Sequence, residues 1–114
     1  MSETIFSKII NKEIPATIVY ETDTVLAFKD INPVAPVHIL VIPKKEIKNV
    51  NYLTGDDKDI LSNMFEAVKI IVEEQGIKES GYRLVINNGK DALQSVEHLH
   101  IHIIGGKELK WPPC

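Results

Sequence analysis

Three histidines alternate with apolar residues close to the end of the chain. His98, His100 and His102 form the sequence HLHIH, and the only other histidine among the 114 residues is His38. Side chains two residues apart on a β-strand point to the same face and lie about 6.5–7 Å apart. On a strand, the three imidazoles would therefore line one groove.

Two kinds of reactive site and one structural role fit this spacing. Zinc could be bound by two of the histidines, with further ligands from His38, Asp30 or Asp91. Alternatively, a neutral imidazole can attack phosphorus and form a covalent phosphohistidine, provided that its second ring nitrogen is held as a donor. His100 would then be the nucleophile, because its two histidine neighbours could donate to the phosphate. The third interpretation is a half-buried strand that uses histidine as its polar residue.

The bulk composition narrows the class of protein. A net charge of −3, with 44% hydrophobic and 25% charged residues, is typical of a globular domain and argues against a general nucleic-acid binder. The length fits a single domain over residues 1–114. We find no apolar run that could cross a membrane and no signal-peptide pattern, and the lone Cys114 excludes an intrachain disulfide. The sequence therefore predicts a cytoplasmic protein, with no membrane or nucleic-acid partner, in which Cys114 is an inert exposed thiol.

The elements that would position the histidines follow from the hydrophobic pattern. Helical spacing predicts a short helix over about 5–11 and a long helix from Asp56 to Gln75, which Thr54 caps together with Asp57. Runs of β-prone residues predict strands at 17–22, 24–30, 37–43, 82–86 and 96–104. Adjacent strands of this kind indicate an α+β domain with a five-stranded antiparallel sheet.

Several segments, in order along the chain, resemble one family. HLHIHII matches the alternating pattern of the histidine triad (HIT) family. The segments TIFSKIINKEIPA, LAFKDINPVAPVHILVIPKK, GYRLVINNG, QSVEHLHIHIIGG and WPP resemble its nucleotide-binding branch, from about Thr4 to Pro113. The resemblance implies a HIT-like fold and a homodimer whose two sheets join, with Trp111 near the partner's site.

The same resemblance implies an activity. The protein would bind purine nucleoside monophosphates and hydrolyse nucleoside phosphoramidates or aminoacyl-adenylates through a transiently nucleotidylated His100, with no cofactor and no metal. A nucleotide-binding interaction module with little physiological turnover is an alternative. A dinucleoside polyphosphate hydrolase is another, although the GG after the triad and the WPP segment argue against it.

Roles for individual residues are also implied by the resemblance. Around the nucleophile, the catalytic set would comprise His98, His102, His38 and Ser95. Asp30 would hold the ribose hydroxyls, and an apolar wall around the base would consist of Ile5, Phe6, Ile9, Phe28 and Ile31. On the side of the phosphate and the leaving group, the contacts would come from Asn87, Leu93, Gln94 and Ser95.

The sequence departs from the family pattern in several places. Thr4 and Ser7 stand where some bacterial relatives carry zinc-binding cysteines, and Glu46 replaces a histidine. We therefore predict that this zinc site is absent. Ala92 and Leu93 occupy a loop in which glycines are common, and the added side chains predict a narrower pocket around the leaving group.

Overall fold

The computed structural model describes residues 3–113. The protein consists of one antiparallel sheet with a helix on each face. The sheet has the order β1-β2-β3-β5-β4, and every neighbouring pair is antiparallel. The elements are α1 Ile5–Ile10, β1 Ile18–Glu21, β2 Val25–Lys29, β3 Val37–Pro43, α2 Lys58–Glu74, β4 Tyr82–Val85 and β5 Ile101–Gly105. The predicted α+β class is confirmed. Cys114 lies outside the described residues, and no helix within 3–113 is long and apolar enough to cross a bilayer.

Alternating side chains on the central strands build two cores. The α2-side core joins the apolar stripe of the long helix to inward residues of the sheet, among them Val25, Ala27, Ile39, Val41, Met64 and Ile71. The α1-side core lies on the opposite face and contains Phe6, Ile9, Leu26, Phe28, Leu40 and Ile42. Because both faces are covered, β2 and β3 are apolar at nearly every position.

Side-chain caps fix where both helices begin. Thr4 Oγ1 accepts the Ser7 N–H at 3.1 Å and Ser7 Oγ accepts the Thr4 N–H at 2.9 Å, which completes a capping box for α1. The residues in the position of zinc-binding cysteines therefore cap a helix here. The predicted capping box of Thr54 and Asp57 is confirmed, although it caps a 3₁₀ turn at Gly55–Asp57 that leads into α2.

The prediction of a last strand over 96–104 is wrong at its start. β5 begins at Ile101, and residues 96–100 form an irregular segment whose Leu99 N–H bonds to the Ile47 carbonyl at 2.7 Å. The alternation of faces still holds before the strand, since Leu99 joins the α2-side core together with Ile101. His98 and His100 accordingly lie on the face that α1 covers, where Phe6 contacts both rings.

We expect Asp57→Asn to lower the thermal unfolding midpoint by roughly 5 °C or more, because it weakens a cap and an ion pair. Lys45 donates to Asp57 at 2.6 Å, and this contact, followed by the bond from the Thr54 N–H, lowers the pKa of the buried carboxyl. A carboxyl with a lowered folded pKa stabilises the fold above its unfolded pKa of about 3.9, and that contribution is lost as the pH falls through the folded pKa. The difference between wild type and variant should therefore be full at pH 7 and shrink below about pH 4. Equal midpoints at pH 7 in calorimetry would contradict this role.

Candidate active site

The backbone of the histidine segment holds the ring of His100 in one tautomer. Its Nδ1 lies 2.7 Å from the carbonyl oxygen of His98, so Nδ1 carries the proton and donates. The lone pair is then on Nε2. This tautomer meets the requirement for a nucleophilic imidazole, in which one nitrogen is held as a donor and the other is free. The carbonyl that selects the tautomer belongs to the turn that precedes β5.

His98 lies beneath this arrangement, outside the groove. Its ring is fully buried, and Nε2 is 2.8 Å from the carbonyl oxygen of Pro43, to which it donates. The prediction that all three imidazoles line one groove is therefore wrong for His98, whose side chain anchors the segment to the end of β3. The part of His98 that contacts the active site is its backbone carbonyl, which orients the ring of His100.

His38 and His102 form a second pair across two neighbouring strands. The register pairs His102 with Leu40 and His38 with Ile104, so the two histidines are diagonal neighbours on one face. Nε2 of His38 lies 2.9 Å from Nδ1 of His102, and the centroids of the two rings are 5.2 Å apart. The ring of His102 in turn lies 5.0 Å from that of His100.

A backbone donor fixes the proton positions in this pair. The Val34 N–H donates to Nδ1 of His38 at 3.1 Å, so that nitrogen must be an acceptor. The proton of His38 is then on Nε2, from which it is donated to Nδ1 of His102. The remaining proton of His102 is consequently on its Nε2, which is left to donate to another group.

Asp30 lies at the end of β2 beside the histidine pair. Its Oδ1 accepts the Asn32 N–H at 2.8 Å, and its Oδ2 is 3.5 Å from Nε2 of His38. The Asp30 N–H also bonds to the His38 carbonyl at 3.0 Å, which fixes the carboxylate next to the site. Its negative charge favours protonated His100 and His102.

Burial nevertheless keeps all three triad imidazoles neutral at pH 7. It is the largest cause that lowers the pKa of His98, of His100 and of His102, and for His102 the value falls to about 4. For His100, the hydrogen bond to the His98 carbonyl and the charge of Asp30 oppose this shift without cancelling it. The nucleophilic lone pair is therefore available in neutral solution.

Phe6 provides the burial of His100 most directly. Its ring packs edge-on against the imidazole with centroids 5.0 Å apart, and its centroid also lies 5.5 Å from that of Phe28.

We expect Phe6→Ala to admit water and raise the pKa of His100 toward about 6.5, which moves the acid limb of the activity profile to higher pH. Phe6→Leu, which keeps an apolar cover, should shift the limb less. NMR titration of the His100 ring checks this prediction, and an unchanged pKa in Phe6→Ala would contradict it.

Asp30, His38 and His102 also lie close enough together to be considered as metal ligands, since one donor atom of each falls within 4.8 Å of the others. A ligating histidine coordinates through a lone pair and donates its other N–H to an acceptor. Nδ1 of His38 faces the Val34 N–H, a donor, so its Nε2 must carry a proton and cannot coordinate without rearrangement. In this arrangement His38 Nε2 is a proton donor to His102, which argues against its use as a metal ligand. We expect activity to be unchanged after dialysis against EDTA, and a loss restored by zinc would contradict this assignment.

Amide side chains hold the loop that precedes the histidine segment. Asn87 Nδ2 donates to the Ala92 carbonyl at 2.8 Å. Gln94 donates to the carbonyls of Lys48 and Val96 and accepts the Gly89 N–H. The side chains of Asn87 and Gln94 are thus engaged within the protein, whereas Ser95, which follows Gln94 directly, is exposed.

The five residues of the predicted base wall fall into two groups. Phe6, Ile9 and Phe28 are buried in the α1-side core, whereas Ile5 and Ile31 are 49% and 86% exposed. Of the five, only Ile5 and Ile31 expose a large part of their surface. Trp111, for which a role across a dimer is predicted, is 79% exposed, and its ring lies 5.8 Å from the Arg83 guanidinium.

Three backbone groups that shape this site, the Val34 N–H and the carbonyls of His98 and Pro43, were not predicted from the sequence. Every residue type carries such groups, so the sequence does not identify them. The prolines of INPVAP, which restrict the loop that carries Val34, are the one signal that the sequence offers.

Comparison with known proteins agrees with this architecture. Residues 11–109 match the model of the HIT domain family. An uncharacterized HIT-like protein of Synechocystis is 51% identical over 97% of this chain and 96% of its own, and the adenylylsulfatase HINT1 of Arabidopsis thaliana is 49% identical over 98% and 77%. The crystal structure of a HIT family hydrolase from Legionella pneumophila superposes with a TM-score of 0.96 at 44% identity, over 98% of this chain and all of that one. The chain therefore belongs to the HIT domain family.

Proposed function

We propose that the protein is a hydrolase that cleaves nucleoside phosphoramidates or aminoacyl-adenylates through a nucleotidyl-histidine intermediate. The observation that carries the proposal is the tautomer of His100, whose Nδ1–H is held by the His98 carbonyl at 2.7 Å. Burial leaves its Nε2 unprotonated at neutral pH. Relatives named as a hydrolase and as an adenylylsulfatase are consistent with attack on a nucleotide phosphorus.

In the first step, the Nε2 lone pair of His100 attacks the α-phosphorus of the substrate. The N–P bond to His100 forms as the P–N bond to the leaving amine breaks. The departing nitrogen takes a proton that the Ser95 hydroxyl relays from solvent, so the amine leaves neutral. His100 keeps its Nδ1 proton and becomes a nucleotidyl-imidazolium, whose positive charge the His98 carbonyl stabilises.

In the second step, water attacks the same phosphorus and the N–P bond to His100 breaks. The electron pair returns to Nε2, the water loses its proton to solvent, and the nucleoside monophosphate is released. Through both steps, Nε2–H of His102 donates to a phosphoryl oxygen, and the bond from His38 keeps that proton in place. Such a preoriented donor stabilises the charge that develops in the transition state.

Nucleotide selection rests on the surroundings of this centre. We assign the ribose hydroxyls to Asp30, whose carboxylate side chain is 20% exposed and held by the Asn32 N–H. Ile5 and Ile31 supply exposed apolar surface for a purine. Neither role requires a metal or a cofactor.

Hydrolysis assays separate this function from its alternatives. We expect adenosine 5′-phosphoramidate to be cleaved to AMP with a kcat/KM at least about 100-fold above that for diadenosine polyphosphates. A preference for the diadenosine compounds would identify a dinucleoside polyphosphate hydrolase. Tight AMP binding without turnover of any phosphoramidate or adenylate would identify a binding module.

A homodimer built through β4 is part of the proposal. β4 is an edge strand. Tyr82 and Leu84 within it, and Ile86 just after its end, are each 37–38% exposed at alternating positions. An exposed apolar edge of this kind favours pairing with a second copy. Trp111, exposed beside Arg83 of the same strand, would then lie near the partner's site. A cytoplasmic location accompanies the proposal, in keeping with the single cysteine.

A further inference from the structure

The proton position of His38 depends on one loop. Residues 30–36 connect β2 to β3, and from this loop the Val34 N–H donates to Nδ1 of His38 at 3.1 Å. His38 itself is held in β3, where the register pairs it with Ile104 of β5. Because the donor lies in the loop and the acceptor in the sheet, the hydrogen bond requires that the loop stay close to β3.

Hydrogen bonds hold the first half of this loop. The Asp30 N–H bonds to the His38 carbonyl at 3.0 Å, and the Asn32 N–H bonds to Oδ1 of Asp30 at 2.8 Å. At the other end of the loop, Pro36 cannot donate, since a proline has no N–H. The position of that end therefore depends more on packing.

Pro36 packs against Gly106, the residue that directly follows β5. A Cβ on Gly106 would lie 3.0 Å from Cβ of Pro36, and 3.4 Å from both its Cγ and the Val37 nitrogen. Carbon atoms in favourable van der Waals contact are about 3.5–4.0 Å apart. The glycine thus permits a close approach of the loop to the end of β5 that an added side chain would prevent.

Two restrictions act on position 106, and the contact with Pro36 is the second of them. The first is its φ angle of +90°, in the left-handed region. Such an angle is not specific to this place, since Lys12 and the exposed Leu93 have φ angles of +62° and +60°. Gly76, just after α2, has a φ of +74°, and a Cβ there would meet nothing within 4 Å. Gly76 and Gly106 therefore share the kind of angle and differ in the contact.

We propose that Gly106 is a positioning residue for the reaction, because its contact with Pro36 keeps the loop where the Val34 N–H binds Nδ1 of His38. The end of β5 thereby helps to hold the proton of His38 on Nε2, from which it is donated to His102. The effect is exerted through His38 and not through contact with substrate. Its consequence for turnover rests on the proposed function, whereas the hydrogen bond can be measured without turnover.

Gly106→Ala tests this role. The added Cβ has to displace Pro36 by a few tenths of an ångström, which weakens the Val34 hydrogen bond. We expect exchange of the Val34 amide hydrogen, measured by NMR, to speed up about threefold to tenfold, and kcat for adenosine 5′-phosphoramidate to fall by a similar factor, the usual net contribution of one hydrogen bond. KM should change less than kcat. Nitrogen-15 NMR of the His38 ring should show a larger share of protonated Nδ1, and Gly106→Val should increase each effect.

Gly76→Ala provides the matched control. Both alanine variants place a side chain at a positive φ, and both should lower the thermal unfolding midpoint. Only Gly106→Ala also introduces the contact with Pro36. Gly76→Ala should therefore leave kcat, the Val34 exchange rate and the His38 ring nitrogens unchanged.

Pro36→Gly removes the two carbon atoms that the added Cβ would meet. In that background, Gly106→Ala should lower kcat by less than about twofold, because the contact is gone. Equal losses in both backgrounds, or a lower kcat with unchanged Val34 exchange and unchanged His38 nitrogens, would overturn the inference. Failure of the wild type to hydrolyse any phosphoramidate would overturn the proposed function, and unchanged Val34 exchange in Gly106→Ala would separately overturn the inference.

Discussion

His100→Ala is expected to reduce kcat for adenosine 5′-phosphoramidate by about 10⁴-fold or more. The variant removes the Nε2 lone pair that forms the bond to phosphorus. His98 also has one donating and one unpartnered nitrogen, but its ring is fully buried. Loss of a nucleophile that acts as part of a catalytic unit typically costs this much or more. Steady-state assays with purified protein measure the effect.

Nucleotide binding separates this loss from a folding defect. His100 is buried beside Phe6, so its truncation lowers stability somewhat without removing the groups assigned to ribose and base. AMP should still bind His100→Ala with a Kd within about tenfold of wild type by calorimetry, which corresponds to about 1.4 kcal/mol. His100→Asn, a smaller change in volume, should be equally inactive. Turnover near the wild-type rate in either variant would exclude His100 as the nucleophile.

Removal of the His102 donor is expected to reduce kcat by about 10²-fold to 10³-fold, the usual cost of one preoriented transition-state donor. The His38 variants then test the tautomer assignment. His38→Leu deletes the proton donated to Nδ1 of His102, whereas the amide of His38→Gln can still donate one. We expect His38→Leu to lower kcat about 10-fold to 100-fold and His38→Gln to lower it only a few-fold.

A double-mutant cycle tests whether His38 acts only through its hydrogen bond to His102. If His38 works only by fixing the proton of His102, His38→Leu should add little to the loss in His102→Ala. Fully additive losses, or equal losses in His38→Leu and His38→Gln, would show that His38 acts on the substrate independently. KM for the substrate should change less than kcat, because the donation strengthens in the transition state.

The fold was predictable to the extent that it follows from local pattern. Alternation in VHILVIP and the helical stripe around Met64 are local signals, and both elements form where they were expected. The beginning of β5 was not predictable, because residues 96–100 alternate as a strand does, yet their neighbour is the loop at Ile47. Alternation determines which face a side chain occupies, and it does not show whether a partner strand is present.

The site was predictable in its residue types and not in its proton positions. The alternation grouped His98, His100 and His102, and the zinc hypothesis named His38 and Asp30 as further ligands. The resemblance then implied a ribose contact for Asp30 and a catalytic role for His38. Which nitrogen carries each proton depends on the Val34 N–H and on the carbonyls of His98 and Pro43. These backbone groups have no sequence signature, and they make His98 an anchor rather than the phosphate donor that spacing suggested.

Mass spectrometry of protein quenched in alkali during turnover with excess adenosine 5′-phosphoramidate tests whether His100 forms the covalent intermediate. Alkaline quenching is chosen because phosphorus–nitrogen bonds to histidine are labile in acid. We expect a mass increase of one nucleoside monophosphate on the peptide that contains His100, and its absence in His100→Ala. Steady turnover with the adduct on another residue, or with no adduct on His100, would show that His100 is not the nucleophile.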